Sequence, residues 1–214
     1  MTRAARAYLA VFAANVVAVV AFWWVGLDRT ELGTAADALN AAGRLAALVG
    51  TYLLLVQLIL RTHVPWLASA FGNDGLKRVH VWNAYLAVAL IGAHVVFQVV
   101  GYALQERIGI LDELAVMLAQ YEGMLPAVAG ALLLGALTLL AIDRFRHQLA
   151  WPTWRALHFY TYAAVALSLP HIIATGSDFI GAPAWSVYWV ALETVVIAVL
   201  VIARVPPIWR APPP

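Results

Sequence analysis

The stretch RVHVWNAYLAVALIGAH, Arg78–His94, decides how this chain folds. It carries one histidine near its start and another at its end, and the residues between them are mostly apolar. As a helix, such a run is long enough to cross the hydrocarbon of a bilayer. Because ionisable side chains are costly there, they usually serve a function. The stretch predicts a membrane helix whose two imidazoles lie about four turns apart.

The composition of the whole chain also indicates a membrane protein. Hydrophobic residues make up 64% of the 214 residues and charged residues 11%, whereas a soluble domain is about half apolar. The chain contains no cysteine, which excludes disulfides, iron–sulfur ligation and thiol catalysis. Any redox chemistry would therefore need a bound cofactor.

Six apolar runs of roughly twenty residues predict six spans. They lie near residues 7–27, 40–60, 79–104, 124–142, 154–175 and 184–203. Basic residues concentrate at both termini and between the second and third and the fourth and fifth spans, so we expect both termini in the cytoplasm. The predicted fold is an all-α, six-helix transmembrane bundle surrounded by lipid, with one domain over residues 1–204 and a proline-rich cytoplasmic tail over 205–214. The net charge of +2 is then a topology signal, and we predict no nucleic-acid partner.

The loop between the third and fourth spans, residues 105–123, has apolar residues at near-helical spacing. This spacing predicts an amphipathic segment that lies at the outer membrane surface. Two interpretations of this segment are left open, a plain interfacial loop and a functional lid.

The fifth span, WRALHFYTYAAVALSLPHIIATG, adds His158 and His171. The third and fifth spans run in the same direction, so His80 matches His158 in depth and His94 matches His171. Separations of 14 and 13 residues put the two levels roughly 20 Å apart. Neutral imidazoles fill both axial positions of heme iron. The four histidines are therefore predicted metal ligands of two stacked hemes held between the third and fifth helices.

One angular difficulty concerns the fifth span. Fourteen residues leave the two histidines about 40° out of phase around a helix, but thirteen leave them about 140° out of phase. Pro170 directly precedes His171, and a proline inside a helix usually kinks it. We predict a kink there that turns His171 toward the heme.

Other side chains are candidates for contact with the cofactors. Arg44, in the outer part of the second span, is costly there unless it pairs with an anion such as a heme propionate or snorkels to the interface. Cations predicted near the inner propionates, or present only as positive-inside charges, are Lys77, Arg78 and Arg155. Aromatic candidates for packing on the hemes are Trp82, Tyr85, Phe97, Tyr160 and Tyr162.

The residues KRVHVW and GAHVV in the third span, with the fifth-span sequence, resemble the ferric reductase-like transmembrane domain of ferric reductases and NADPH oxidases. GRLAALVGTYLLLVQLIL and PWLASAFGNDGLKRVH resemble the membrane half of bacterial proteins that join this module to a flavin-dependent reductase. The resemblance implies an oxidoreductase of the bacterial inner (plasma) membrane with two b-type hemes on His80, His94, His158 and His171 and with Arg44 near the outer heme. It also implies electron flow from cytoplasmic reduced flavin or NAD(P)H to an outer acceptor, ferric iron or dioxygen.

The chain departs from that pattern in having no nucleotide-binding G-x-G-x-x-G signature. FAD or FMN and NAD(P)H are therefore expected on a cytoplasmic flavin reductase protein or on a domain absent from this sequence. One alternative is a heme subunit that serves a periplasmic methionine sulfoxide reductase-type partner. That group lacks the inner histidine of the third helix, so His80 favours the diheme type. A histidine-containing transporter or proton channel and a non-catalytic membrane anchor are the alternatives of another class.

Overall fold

The computed structural model describes residues 2–27, 32–60, 65–176 and 183–204. All regular secondary structure in these residues is helical, as the composition predicted. The helices are α1 (Arg3–Gly26), α2 (Ala35–Leu60), α3 (Pro65–Glu106), α4 (Ile110–Gln120), α5 (Met124–Leu140), α6 (Asp143–Arg146), α7 (Trp151–Thr175) and α8 (Pro183–Arg204). The predicted tail 205–214 lies outside the described residues.

Five of the described helices, α1, α2, α3, α7 and α8, are long and apolar enough to cross a membrane. A sixth span arises if α4 and α5 are counted together, although they meet at 117°. With 17 residues, α5 is about 26 Å long, close to the roughly 30 Å of the hydrocarbon core. The chain is a multi-pass membrane protein with five to six candidate spans. The predicted segment in loop 105–123 is confirmed as a helix, α4.

Two local features mark where α2 begins and where the histidine-bearing part of α3 begins. At the start of α2, the Thr34 hydroxyl accepts from the Asp37 amide at 3.2 Å, and the Asp37 carboxylate accepts from the Thr34 amide at 2.9 Å. This reciprocal pair satisfies amides that helix geometry leaves free. α3 is broken at Gly72, whose φ of 67° suits glycine. The helical segment that carries His80 and His94 follows this break.

α2 is the central helix of the bundle, and its contacts with α3 are the most extensive in the fold. The core residues come mainly from these two helices: Leu48, Tyr52, Leu53, Val56, Leu60, Leu67, Leu76 and Ala87. One hydrogen bond attaches α1 to this centre, and another attaches α8 to α1. The Trp23 indole donates to the Ala41 carbonyl at 3.0 Å, and the Tyr188 hydroxyl donates to the Asn15 amide oxygen at 2.9 Å.

The second tight pair consists of α5 and α7. A Cβ at Gly130 of α5 would lie only 2.5 Å from the Ala164 carbonyl oxygen of α7, so glycine lets the two backbones approach. α3 packs mainly on α2, and α7 packs mainly on α5. The two helix pairs therefore face each other, and the histidines of α3 and α7 lie between them.

Candidate functional site

The structure brings the four histidines together in the two pairs that their depth predicted. The ring centroids of His80 and His158 lie 6.1 Å apart, and those of His94 and His171 lie 6.4 Å apart. We call His80 with His158 the inner pair and His94 with His171 the outer pair, after their predicted depth. That these histidines are ligands stays a prediction.

The spacing of both pairs fits one metal atom between the rings. A histidine nitrogen binds a transition metal at about 2.0 Å, so two imidazoles on opposite sides of one ion have centroids roughly 6 Å apart. Among the described residues, no group of three or more histidine, cysteine, aspartate or glutamate side chains could hold a bare ion. Iron in a porphyrin needs only two protein ligands, because the macrocycle supplies the other four. The donor set therefore fits heme.

The outer pair is oriented through its Nδ1 atoms. Nδ1 of His94 lies 3.0 Å from the Gly43 carbonyl oxygen, which only accepts. Nδ1 of His171 lies 3.0 Å from the Thr175 hydroxyl, which itself donates to the His171 carbonyl at 2.8 Å. Both Nδ1 atoms are therefore donors, and each Nε2 keeps its lone pair. Metal-binding histidines are usually held in this way.

The segment around Pro170 reaches the outer pair although α7 is one helix from Trp151 to Thr175. The kink expected at Pro170 stays a prediction. Gly123, between α4 and α5, packs directly against the backbone of Pro170 and His171. The position of His171 thus depends on the junction between α4 and α5 as well as on α7.

A cavity of about 560 Å³ adjoins the inner pair and is lined by both of its histidines. Its size lies in the range of cofactor pockets. Apolar side chains of four helices form most of its wall: Leu54, Val81, Ala84, Val88, Leu134 and Val165. Charged side chains line it as well: the cations Lys77 and Arg146 and the anion Asp143, together with His147. An apolar wall with nearby cations fits an apolar macrocycle that carries two carboxylates.

The cations of this cavity agree only in part with the sequence prediction. All three predicted cations are exposed, and of them only Lys77 lines the cavity, whereas Arg78 and Arg155 do not. Arg146 was missed. Its guanidinium lies 4.9 Å from the Trp154 ring centroid, and the Trp154 ring lies 5.3 Å from that of His158. This cation–π contact links a charge to the inner pair through one indole.

Four of the five aromatic candidates separate into two groups, and the fifth, Phe97, lies beside Gly43 of α2, at the level of the outer pair. Tyr85 and Tyr162 line the cavity beside the inner pair. Trp82 and Tyr160 do not line it, and they are 71% and 57% exposed, as expected of rings that face lipid. Which aromatic rings face the cavity depends on their position around the helix axis. A prediction from depth in the membrane alone cannot distinguish them.

Arg44 follows Gly43, whose carbonyl contacts His94, so it lies at the level of the outer pair. Its Nε and Nη2 atoms are buried. Burial of the guanidinium fits a role inside the bundle better than snorkelling to the interface.

Two amide side chains that sequence reasoning missed lie beside the inner pair. Gln57 of α2 contacts the His80 ring, and the buried Asn83 of α3 donates to Gln57 at 2.8 Å. Their position inside two apolar spans was the available signal, because membrane helices seldom keep amides without a partner.

The fold and this site define a helical, multi-pass membrane protein with paired histidines at two levels. Residues 46–169, more than half of the chain, match the family described as ferric reductase like transmembrane component. The chain belongs to this family, as the resemblance in the third and fifth spans predicted. The matched segment includes His80, His94 and His158 and ends two residues before His171. No curated protein and no solved structure matches the chain significantly.

Family membership suggests a membrane electron-transfer component of the oxidoreductase type. Within the site, the two histidine pairs are the side chains suited to such an electron-transfer role.

Proposed function

We propose that this protein carries electrons across a membrane and holds two b-type hemes, one between the inner pair and one between the outer pair. The observation that carries the proposal is the centroid spacing of 6.1 and 6.4 Å, which suits bis-imidazole ligation at both levels. Each heme would supply a one-electron iron couple. The established family adds independent support.

The protein's own residues would hold and tune these groups. Two histidines at each level would hold a heme, and such a heme would supply electron transfer rather than activation of a bound ligand. The apolar wall of the inner cavity would surround the macrocycle, and the cations Lys77 and Arg146 would pair with the propionates. At the outer level, the buried Arg44 guanidinium would take the same role. Burial and such charges set redox potentials.

The charge distribution supports an assignment of the two sides of the membrane, and the family supports the direction of transfer. Lys77 and Arg146 line the cavity of the inner pair, and basic residues mark the cytoplasmic side. A cytoplasmic flavin reductase protein or domain would therefore deliver electrons from FAD or FMN and NAD(P)H at the inner pair. The outer pair would face the acceptor, ferric iron or dioxygen, across the bacterial inner membrane.

The test is to remove one ligand from each level and to count hemes per polypeptide. His158→Ala should lose the inner heme and keep the outer one, and His171→Ala should show the reverse. Tyr160→Phe, at an exposed position away from the cavity, is the matched control and should keep both. Retention of two normal hemes in either histidine variant would refute the pairing. A parent protein with one heme would favour the methionine sulfoxide reductase-type subunit, and one with none would favour a transporter.

A further inference from the structure

Gln57 and Asn83 form a chain of hydrogen bonds between α2 and α3 that ends at the His80 ring. Nδ2 of Asn83 donates to the Leu53 carbonyl at 2.9 Å and to Oε1 of Gln57 at 2.8 Å. Nε2 of Gln57 donates to the His80 carbonyl at 3.0 Å and lies 3.1 Å from Nε2 of the same histidine. One amide thus contacts both the backbone and the ring of a proposed heme ligand.

Backbone carbonyls fix the orientation of both amides. A carbonyl only accepts, so the NH₂ group of Asn83 must face Leu53 and that of Gln57 must face the His80 carbonyl. The remaining hydrogen of Asn83 then points to the Gln57 oxygen, and the remaining hydrogen of Gln57 points to the His80 ring. Each NH₂ group uses both hydrogens. Reversing either amide would place oxygen against oxygen inside an apolar helix pair, where unsatisfied polar groups cost several kcal/mol.

The network therefore selects one tautomer of His80. Because the Gln57 NH₂ group can only donate, Nε2 of a neutral His80 must accept, and the ring proton must lie on Nδ1. This is the tautomer in which Nε2 carries the lone pair that binds a metal. On the basis of the proposed function, we propose that Gln57 is a positioning residue. It holds His80 in its ligating tautomer, and its NH₂ group donates to the Nε2 lone pair that iron would otherwise bind.

The outer pair is held by hydrogen bonds to a different ring nitrogen, and this difference changes the affinity of the two sites for heme. His94 and His171 are bonded through Nδ1, so those hydrogen bonds persist when a metal binds Nε2. At His80 the hydrogen bond uses the lone pair itself and must be given up. No proton leaves the ring, because it already lies on Nδ1. The lost hydrogen bond makes the inner site weaker for heme by roughly two- to tenfold, so the outer site fills first.

Affinity is tested in a His171→Ala background, where only the inner pair can bind both faces of a heme. Heme-free protein in detergent is titrated with hemin, and the Soret band gives the dissociation constant. Adding Gln57→Leu should tighten binding roughly two- to tenfold, because the competing donor is gone. Adding Gln57→Glu should weaken binding by at least a similar factor, because a carboxylate accepts from Nε2–H and favours the wrong tautomer.

The matched control is Gln98→Leu. Gln98 is also an α3 amide that bonds α2, through the Asn40 carbonyl at 2.9 Å, but that bond involves no histidine ring. Its removal should leave the hemin affinity unchanged. Unchanged or weaker binding in Gln57→Leu overturns the proposal. If that variant does not accumulate, Gln57→Glu decides, and equal or tighter binding there has the same meaning.

A second readout is independent of heme. Histidine-selective ¹⁵N NMR of the heme-free protein should show His80 protonated on Nδ1, and Gln57→Glu should move the proton to Nε2. A His80 proton on Nε2 in the parent protein overturns the role of Gln57 whether or not heme binds. Failure of the His171→Ala protein to bind any hemin, with the expected NMR result, instead overturns the proposed function and leaves the tautomer assignment standing.

Discussion

Gly123→Ala is predicted to disturb the outer pair without touching either ring. Gly123 has a φ of 73°, a conformation that costs an alanine about 1–2 kcal/mol. Its new Cβ would lie 2.5 Å from the His171 nitrogen and 2.6 Å from the Pro170 carbonyl carbon. Ordinary contact begins at 3.4 Å. The backbone at His171 must therefore move by about 0.9 Å, whereas a functional site tolerates about 0.5 Å.

The expected result is selective loss of the outer heme. The inner pair does not contact this junction, so the variant should retain about one heme per chain, with a low-spin signal from the inner heme in electron paramagnetic resonance spectra. The control is Gly135→Ala, inside α5, where a Cβ meets nothing within 4 Å. It should keep both hemes, and alanine should stabilise the helix by about 1 kcal/mol. Two unperturbed low-spin signals in Gly123→Ala would refute the reasoning.

Two further predictions concern residues that touch the histidines directly. Thr175→Val keeps the shape of the side chain but removes the acceptor for Nδ1 of His171, so the outer site should bind hemin roughly two- to tenfold more weakly. Titration of a His158→Ala background measures this, and an unchanged dissociation constant would contradict it. Arg146→Gln removes the cation from the Trp154 ring and should weaken the inner site about two- to fivefold. The same titration in the His171→Ala background checks it, and equal weakening of both sites would argue for general destabilisation.

The pairing of the histidines could be predicted from the sequence because it depends on only two quantities, the rise of a helix and the number of spans. Helical rise sets the distance between His80 and His94, and the number of spans sets the relative direction of the third and fifth helices. Side-chain identity then supplies the chemistry. The angular mismatch of His171 could not be resolved in this way, because the rotation and tilt of α7 depend on its packing against α5.

The contribution of α2 was not predictable from residue types. The Gly43 carbonyl that contacts His94 is a backbone group, present at every residue, and only the packing of α2 on α3 selects it. Gln57 and Asn83 were visible as amides in apolar runs, but their partner at His80 depends on the same packing. The start of α3 was also misplaced: the apolar pattern begins near 79, whereas the helix extends back to Pro65 across the break at Gly72.

The central claim is that two histidine pairs hold two hemes. Its most direct test is a reduced-minus-oxidised absorption spectrum of the detergent-purified chain, with heme quantified per polypeptide by pyridine hemochromogen. The account predicts two b-type hemes per chain, in agreement with two centroid spacings near 6 Å. A protein that carries one heme, or none, after expression with adequate heme supply would contradict it.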